Sequence, residues 1–244
     1  LSIEMTQTTQ IDLKPHKFTI GLPIGGSLET LTSFSLIDTF RTFDALKITI
    51  NYVSELYCSI VDCARNNVVH EFLRNPEHEK LICIDSDMVW KPHDLIRLCC
   101  WSTLYPIVGA TYSTKVEGDQ KFSADYCKDE QGRIQQNNYG LVKVSGLGFG
   151  FVIIDRIVFE TMIPTTETYK DKSTGEDVYR FFKTTTDGGK FIGEDIYFLN
   201  RWCNEFNGDV WIDPDIEIGH VGRKTYYGGS PRKAMSQYND KQLT

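Results

Sequence analysis

Apolar residues keep two rhythms along this chain, and they divide it into elements. Lys17–Pro23 (KFTIGLP) and Ala45–Val53 (ALKITINYV) are runs of strand length and composition. Between them Leu28–Phe40 reads as a helix. In residues 58–74, Val61, Ala64, Val68 and Phe72 recur at helical intervals, and Asn75-Pro76 closes that helix. Leu81–Ile84 is short, wholly apolar and bounded by charge, the mark of a central strand covered on both faces. A helix over Pro92–Ser102 and a strand over Ile107–Tyr112 continue the alternation. Strand and helix in turn predict a mostly parallel α/β sheet.

The second half is patterned differently. Lys121–Cys127, Leu141–Val144 and Phe149–Ile154 are short strands with glycine-rich joints, expected to add antiparallel pieces. Residues 163–190 are polar and predict a surface excursion around one strand, Val178–Lys183. Glu194–Phe206 is an amphipathic helix, with Ile196, Leu199, Cys203 and Phe206 expected on its apolar face. Val210–Ile212 is a last strand, and the chain is polar from Arg223. There is no internal repeat and no linker. The expectation is a flexible arm over 1–16, one domain over 17–227 and a polar tail over 228–244.

Composition narrows the class. Of 244 residues, 41% are hydrophobic and 24% charged, as in an ordinary globular protein, and the net charge of −7 is ill suited to a nucleic-acid backbone. Seven cysteines, an odd number without a CxxC pair, predict reduced thiols in a cytoplasmic protein. No run is apolar and long enough to span a bilayer.

The candidate chemistry begins at Asp85-Ser86-Asp87, directly after the buried strand. Ligands bind beyond the carboxyl ends of strands in open α/β sheets. Two carboxylates one residue apart on such a turn can face one hard cation that keeps places open for phosphate oxygens. Downstream, Gly193-Glu194-Asp195 opens a helix, where acids also suit the helix dipole. His220 follows between glycines 219 and 222, where a purely structural histidine would fit equally.

Apolar strand with DxD, Gly-Glu-Asp at a helix start, and a late glycine-flanked histidine: this order resembles the GT-A glycosyltransferases over residues 17–227. It is most similar to the short soluble members of phages and large algal viruses. The resemblance implies a Rossmann-like GT-A domain that takes a nucleotide-sugar donor, by family habit UDP-linked, and a glycan or other hydroxyl acceptor. It implies Mn²⁺ or Mg²⁺ on the donor diphosphate, ligated by Asp87 and His220, with Asp85 acting through water or the ribose and Ser86 between them. Of the acidic pair, Asp195 fits the catalytic base, with Glu194 beside it, and a single base in line with the leaving group predicts inversion. The junction holding Pro23 and Gly25 would receive base and ribose, and Arg65 and Asn66 would lie near the nucleotide. Gly146 and Gly148 would line the sugar pocket, with Trp90, Tyr112 and Phe149 as apolar platform or as core. Lys224 belongs to a basic stretch fit to close over a diphosphate, or to an ordinary solvated tail.

Three other classes share parts of this pattern. A DxD phosphatase places its motif near the N-terminus and continues it with Gly-Thr, whereas Met88-Val89 follow here. A sugar nucleotidyltransferase carries a basic residue in its first glycine-rich loop, which Gly25-Gly26-Ser27 lacks. A non-catalytic nucleotide-sugar or carbohydrate-binding module has no use for the Gly-Glu-Asp helix start.

Overall fold

The computed structural model describes residues 11–116, 121–171, 174–222, 225–227, 229–232 and 235. Strand β1 (Lys17–Ile24), helix α1 (Thr30–Leu46), β2 (Thr49–Leu56), α2 (Val61–Arg74) and β3 (Lys80–Ile84) follow the predicted alternation. After the short β4 (Met88–Val89) come α3 (Pro92–Ser102), β5 (Ile107–Gly109), β6 (Ala124–Tyr126), β7 (Val142–Leu147), β8 (Phe151–Asp155) and α4 (Arg156–Met162). Two hairpins, β9 (Thr168–Lys170) with β10 (Asp177–Tyr179) and β11 (Thr185–Asp187) with β12 (Lys190–Ile192), precede α5 (Glu194–Glu205). The last elements are β13 (Trp211–Ile212), β14 (Gly219–Val221) and β15 (Thr225–Tyr227).

The central sheet has eight strands in the order β2-β1-β3-β8-β5-β13-β7-β6. β1 pairs in parallel with β2 and β3, and β5 with β13, while β8 and β7 run against their neighbours. The result is a Rossmann-like α/β domain with a mostly parallel sheet and inserted antiparallel strands. β3 is buried along its whole length, as its unbroken apolar run requires. One core cluster lies where α2, α4 and α5 cover the sheet, and the other where α1 and α3 cover it.

Several boundaries differ from the sequence reading. α1 runs on through Ala45 and Leu46, which were expected in the next strand, because Lys47 takes a left-handed cap (φ 59°) whose N–H bonds the carbonyls of Phe43 and Asp44. Arg156–Met162 forms an unexpected helix, capped by the Asp155 carboxylate on the Ile157 N–H at 3.1 Å. The 163–190 segment is not a mere excursion: it folds as the two hairpins, and Phe181 and Phe182 between them are fully buried. The strand expected there ends at Tyr179, since Asn66 takes both backbone groups of Phe182, donating to its carbonyl and accepting from its N–H at 2.9 Å each. On α5, Phe198, Leu199 and Trp202 are buried and Ile196 and Cys203 only half so, a face turned from the expected one.

Near the termini, Leu13 is buried against the α1–α3 core, and Met235 lies in the other core. Asp213, wholly buried, accepts from Arg97 Nε at 2.5 Å and from Trp101 Nε1 at 2.7 Å. Asp215 joins the same Arg97 to Arg232. The described cysteines are all free thiols; Cys83 and Cys99 are buried, and burial pushes the Cys83 thiol up to about 12. Among the described residues, no helix is long and apolar enough to cross a membrane.

Candidate active site

The DxD turn leaves β3 at its carboxyl end, where neighbouring strands lock it. Asp85 N–H bonds the Gly150 carbonyl at 3.2 Å, and the Met88 N–H closes a turn on the Asp85 carbonyl, also at 3.2 Å. β4 then pairs antiparallel with β14, setting Met88 opposite His220, while Val221 N–H reaches the Asp87 carbonyl at 2.8 Å. Two very short strands therefore bring His220 to a turn more than a hundred residues earlier.

Two charged clusters result. In the first, Arg65, buried on α2, donates from Nη2 to Asp85 at 2.8 Å and from Nε to Glu194 at 3.2 Å, with Nη1 3.4 Å from the Phe149 carbonyl. Burial works against the guanidinium charge, but Asp85 and Glu194 outweigh it and raise its pKa. One arginine thus ties the DxD turn to the start of α5. In the second, Asp87 Oδ2 lies 3.4 Å from His220 Nε2 and is also bonded by Lys115. Burial pushes the Asp87 carboxyl up, yet the bonds and charges of His220 and Lys115 prevail, leaving it below the ordinary carboxylate range.

His220 is held in one orientation by two contacts. Its Nδ1 lies 3.0 Å from the Ser113 carbonyl oxygen, which can only accept, so Nδ1 carries the proton. Nε2 then faces the Asp87 carboxylate. Two lone pairs at that distance repel unless a proton or a cation lies between them. A backbone carbonyl fixing the far nitrogen is the usual support of a metal-binding imidazole.

Among the described residues, no three of His, Cys, Asp and Glu converge on one cation position. Asp85, expected to act on the metal through water or on the ribose, has Oδ1 engaged by Arg65. Asp87 and His220 still fit the donor set of a cation that takes one or two protein ligands and fills its remaining places with phosphate oxygens and water. Lys115 puts a positive charge on the very carboxylate such a cation would use.

Asp195 stands on the first turn of α5, after Gly193. Burial first, and the neighbouring Glu194 charge second, raise its carboxyl to about 6. Its Oδ1 accepts from the Ile196 N–H at 2.7 Å. It opens on a cleft of about 360 Å³ walled by Tyr112, Phe122, Ser123, Asp125 and the 146–148 backbone. A half-buried carboxylate poised near neutrality at such a wall can take a proton from a bound hydroxyl.

The glycine-rich segment has a packing reason. A Cβ on Gly148 would lie 2.5 Å from the Tyr112 hydroxyl, and one on Gly150 2.7 Å from its ring. At Gly146 it would meet Asp125 at 2.6 Å and Ile196 at 2.9 Å. Gly148 and Gly150 thus admit the buried Tyr112, whose ring stands edge-on to His220 with centroids 5.0 Å apart. Trp90 and Phe149 are core residues: Trp90 bonds Thr39 through Nε1, and Phe149 packs on Phe182 and Phe198.

Of the other residues named from sequence, Pro23 shares a narrow crevice with Arg65. Gly25 and Gly26 leave open space, the nearest atom to a Cβ on Gly25 being the Cys58 carbonyl at 3.4 Å. The Ser86 carbonyl accepts the Glu29 N–H at 3.0 Å, joining the DxD turn to the start of α1. Asn66 is spent on Phe182 and does not join the clusters. Lys224 lies outside the described residues. Ser113, Lys115 and Asp125 carried no sequence signal; each is recognisable only once the chain is folded around it.

No family model matches the chain, and no curated protein matches it. Among solved structures it is similar to the crystal structure of A197 from STIV, with a TM-score of 0.54 and 22% identity over 84% of this chain and 86% of that one. The two share a fold across most of their length.

Proposed function

We propose that this chain is a glycosyltransferase that moves a sugar from a nucleoside diphosphate sugar, UDP-linked by preference, to an acceptor hydroxyl. One observation carries the reading: Asp85, Asp87, His220 and Asp195, from three separate stretches of sequence, meet at the carboxyl edge of the sheet, and of these four only Asp195 opens on the adjoining cleft. The resemblance read from the sequence agrees with it.

Asp87 and His220 would hold a divalent cation, Mn²⁺ or Mg²⁺, which when bound supplies positive charge to the leaving diphosphate. Arg65 holds Asp85 and Glu194 in place and keeps the nucleotide end rigid. The open turn at Gly25-Gly26 leaves room for the donor's nucleoside. Asp195 accepts the proton of the acceptor hydroxyl as its oxygen attacks the anomeric carbon, and the bond to the diphosphate breaks on the opposite side. One base on one face gives inversion.

Asp195→Asn tests the base. It keeps donor binding, followed by thermal shift with UDP-, GDP- and dTDP-sugars with and without Mn²⁺, and loses transfer by roughly 10²–10⁴-fold. Wild-type transfer by this variant removes Asp195 from the role. No metal-dependent shift with any nucleotide sugar removes the donor reading itself.

A further inference from the structure

The two edges of the central sheet are unlike. β6 ends it with three residues and a register break between Asp125 and Tyr126, which blunts an edge against further pairing. β2 ends it with eight residues, TINYVSEL, regularly paired to β1 along its whole length and, among the described residues, bonded to no strand on the outer side. It holds no proline and no lysine, and its single charge, Glu55, is engaged by Asn67 at 3.1 Å. A long, regular, weakly charged edge of this kind is a template for another strand.

The surface beside it is apolar. Most of the exposed large hydrophobic side chains of the described residues lie between residues 31 and 61. On α1, Leu31, Phe34 and Ile37 form an outward stripe, Phe34 being 58% exposed. Phe40 continues it to the edge strand, meeting Tyr52 with ring centroids 6.2 Å apart; Tyr52 is 65% exposed and Leu56 follows on the same face of β2.

We infer that this face joins two copies of the chain, β2 pairing antiparallel with β2 about a two-fold axis normal to the sheet. That axis keeps both α1 stripes on one side of the joined sheet. With Tyr52 on the axis, Ile50 of one copy stands opposite Ser54 of the other and Glu55 opposite Thr49, so no acid faces itself. Size and charge argue for this occupant. Aromatic side chains of roughly 150–250 Å² at about half exposure leave on the order of 100 Å² each in water, and the aliphatic ones somewhat less. Leu31, Phe34, Ile37, Tyr52 and Leu56 with the strand edge therefore approach the roughly 800 Å² per partner of a stable interface. A lipid surface is disfavoured, because residues 29–62 carry five acids and only two bases. The interface lies outside both charged clusters and the cleft, and it does not depend on the reaction proposed above.

Sedimentation velocity at micromolar concentration, with phosphatidylcholine–phosphatidylserine vesicles as a second arm, decides it. The wild-type chain sediments at twice the chain mass, and Phe34→Glu with Tyr52→Lys weakens the dimer about tenfold or more while thermal unfolding and nucleotide-sugar binding stay put. Should that variant fail to fold, hydrogen exchange on the wild-type chain replaces it: the β2 amides gain protection as concentration rises. A monomer throughout, a dimer indifferent to both substitutions, β2 exchange independent of concentration, or sedimentation with vesicles alone would overturn the inference.

Discussion

The two charged clusters stand on the same turn and are built to opposite plans. Around Arg65 every partner is fixed: a buried guanidinium, two carboxylates and a backbone carbonyl hold three elements together. Around Asp87 the partners are exchangeable: a half-exposed lysine and the Nε2 of an imidazole whose Nδ1 is turned to a backbone carbonyl. A buried pair stripped of one member leaves an uncompensated charge, whereas a solvated pair loses little. The first cluster is therefore framework and the second is where a ligand can enter. Nearly adjacent carboxylates with the same chemistry are divided by what surrounds them.

The largest effect that could break this contrast is at the framework. Arg65→Met should destabilise by about 3–5 kcal/mol, because Asp85 and Glu194 are left without their cation; urea unfolding measures it, and a change under about 1 kcal/mol would make the node as dispensable as the other. Next comes the exchangeable cluster. Asp87→Ala and His220→Ala should fold normally but weaken metal-dependent nucleotide binding by roughly 10–100-fold, read by thermal shift with Mn²⁺ and UDP. Equal binding by both variants would take the cation away from this pair.

A smaller effect comes from Asp195. Its carboxyl is raised to about 6, so a base that must be ionised gains activity as pH rises through 6 and loses about tenfold per unit below it. The same shift has the opposite sign for stability. Between the ordinary carboxylate value and about 6 the folded chain binds more protons than the unfolded one, so this group's contribution falls as pH rises through that window. Asp195→Asn removes the stability slope along with the rate. The smallest effect is Lys115→Met, which should change stability by no more than about 1 kcal/mol and leave the cation position easier to fill.

What was legible in the sequence follows from what is local. The β3 run and its DxD were readable because burial on both faces demands an unbroken apolar stretch, and α5 because Gly193 and two acids mark a helix start. His220 could be singled out but not placed, since β4 and β14 are two and three residues long and have no rhythm to detect. Gly146 and Gly148 were legible only as pocket lining, because the groups that crowd them, Asp125 and Tyr112, lie well before them in sequence. The role of Asn66 was hidden for the same reason: its partner is the backbone of Phe182, in a stretch whose polar neighbours masked two core phenylalanines.

β13 carries a consequence for how the molecule is made. These two residues, Trp211 and Ile212, follow β5 and β7 by more than sixty residues yet sit between them, well inside the sheet. A growing polypeptide can assemble β1, β2 and β3 early, but β7 and β6 have no seat beside β5 until residue 212 has been made. β14, which delivers His220, comes later still. Closure of the sheet and the meeting of His220 with Asp87 thus wait on residues 211–221. A chain stalled before them would have its DxD turn in place, a gap where β13 belongs, and no imidazole to meet it.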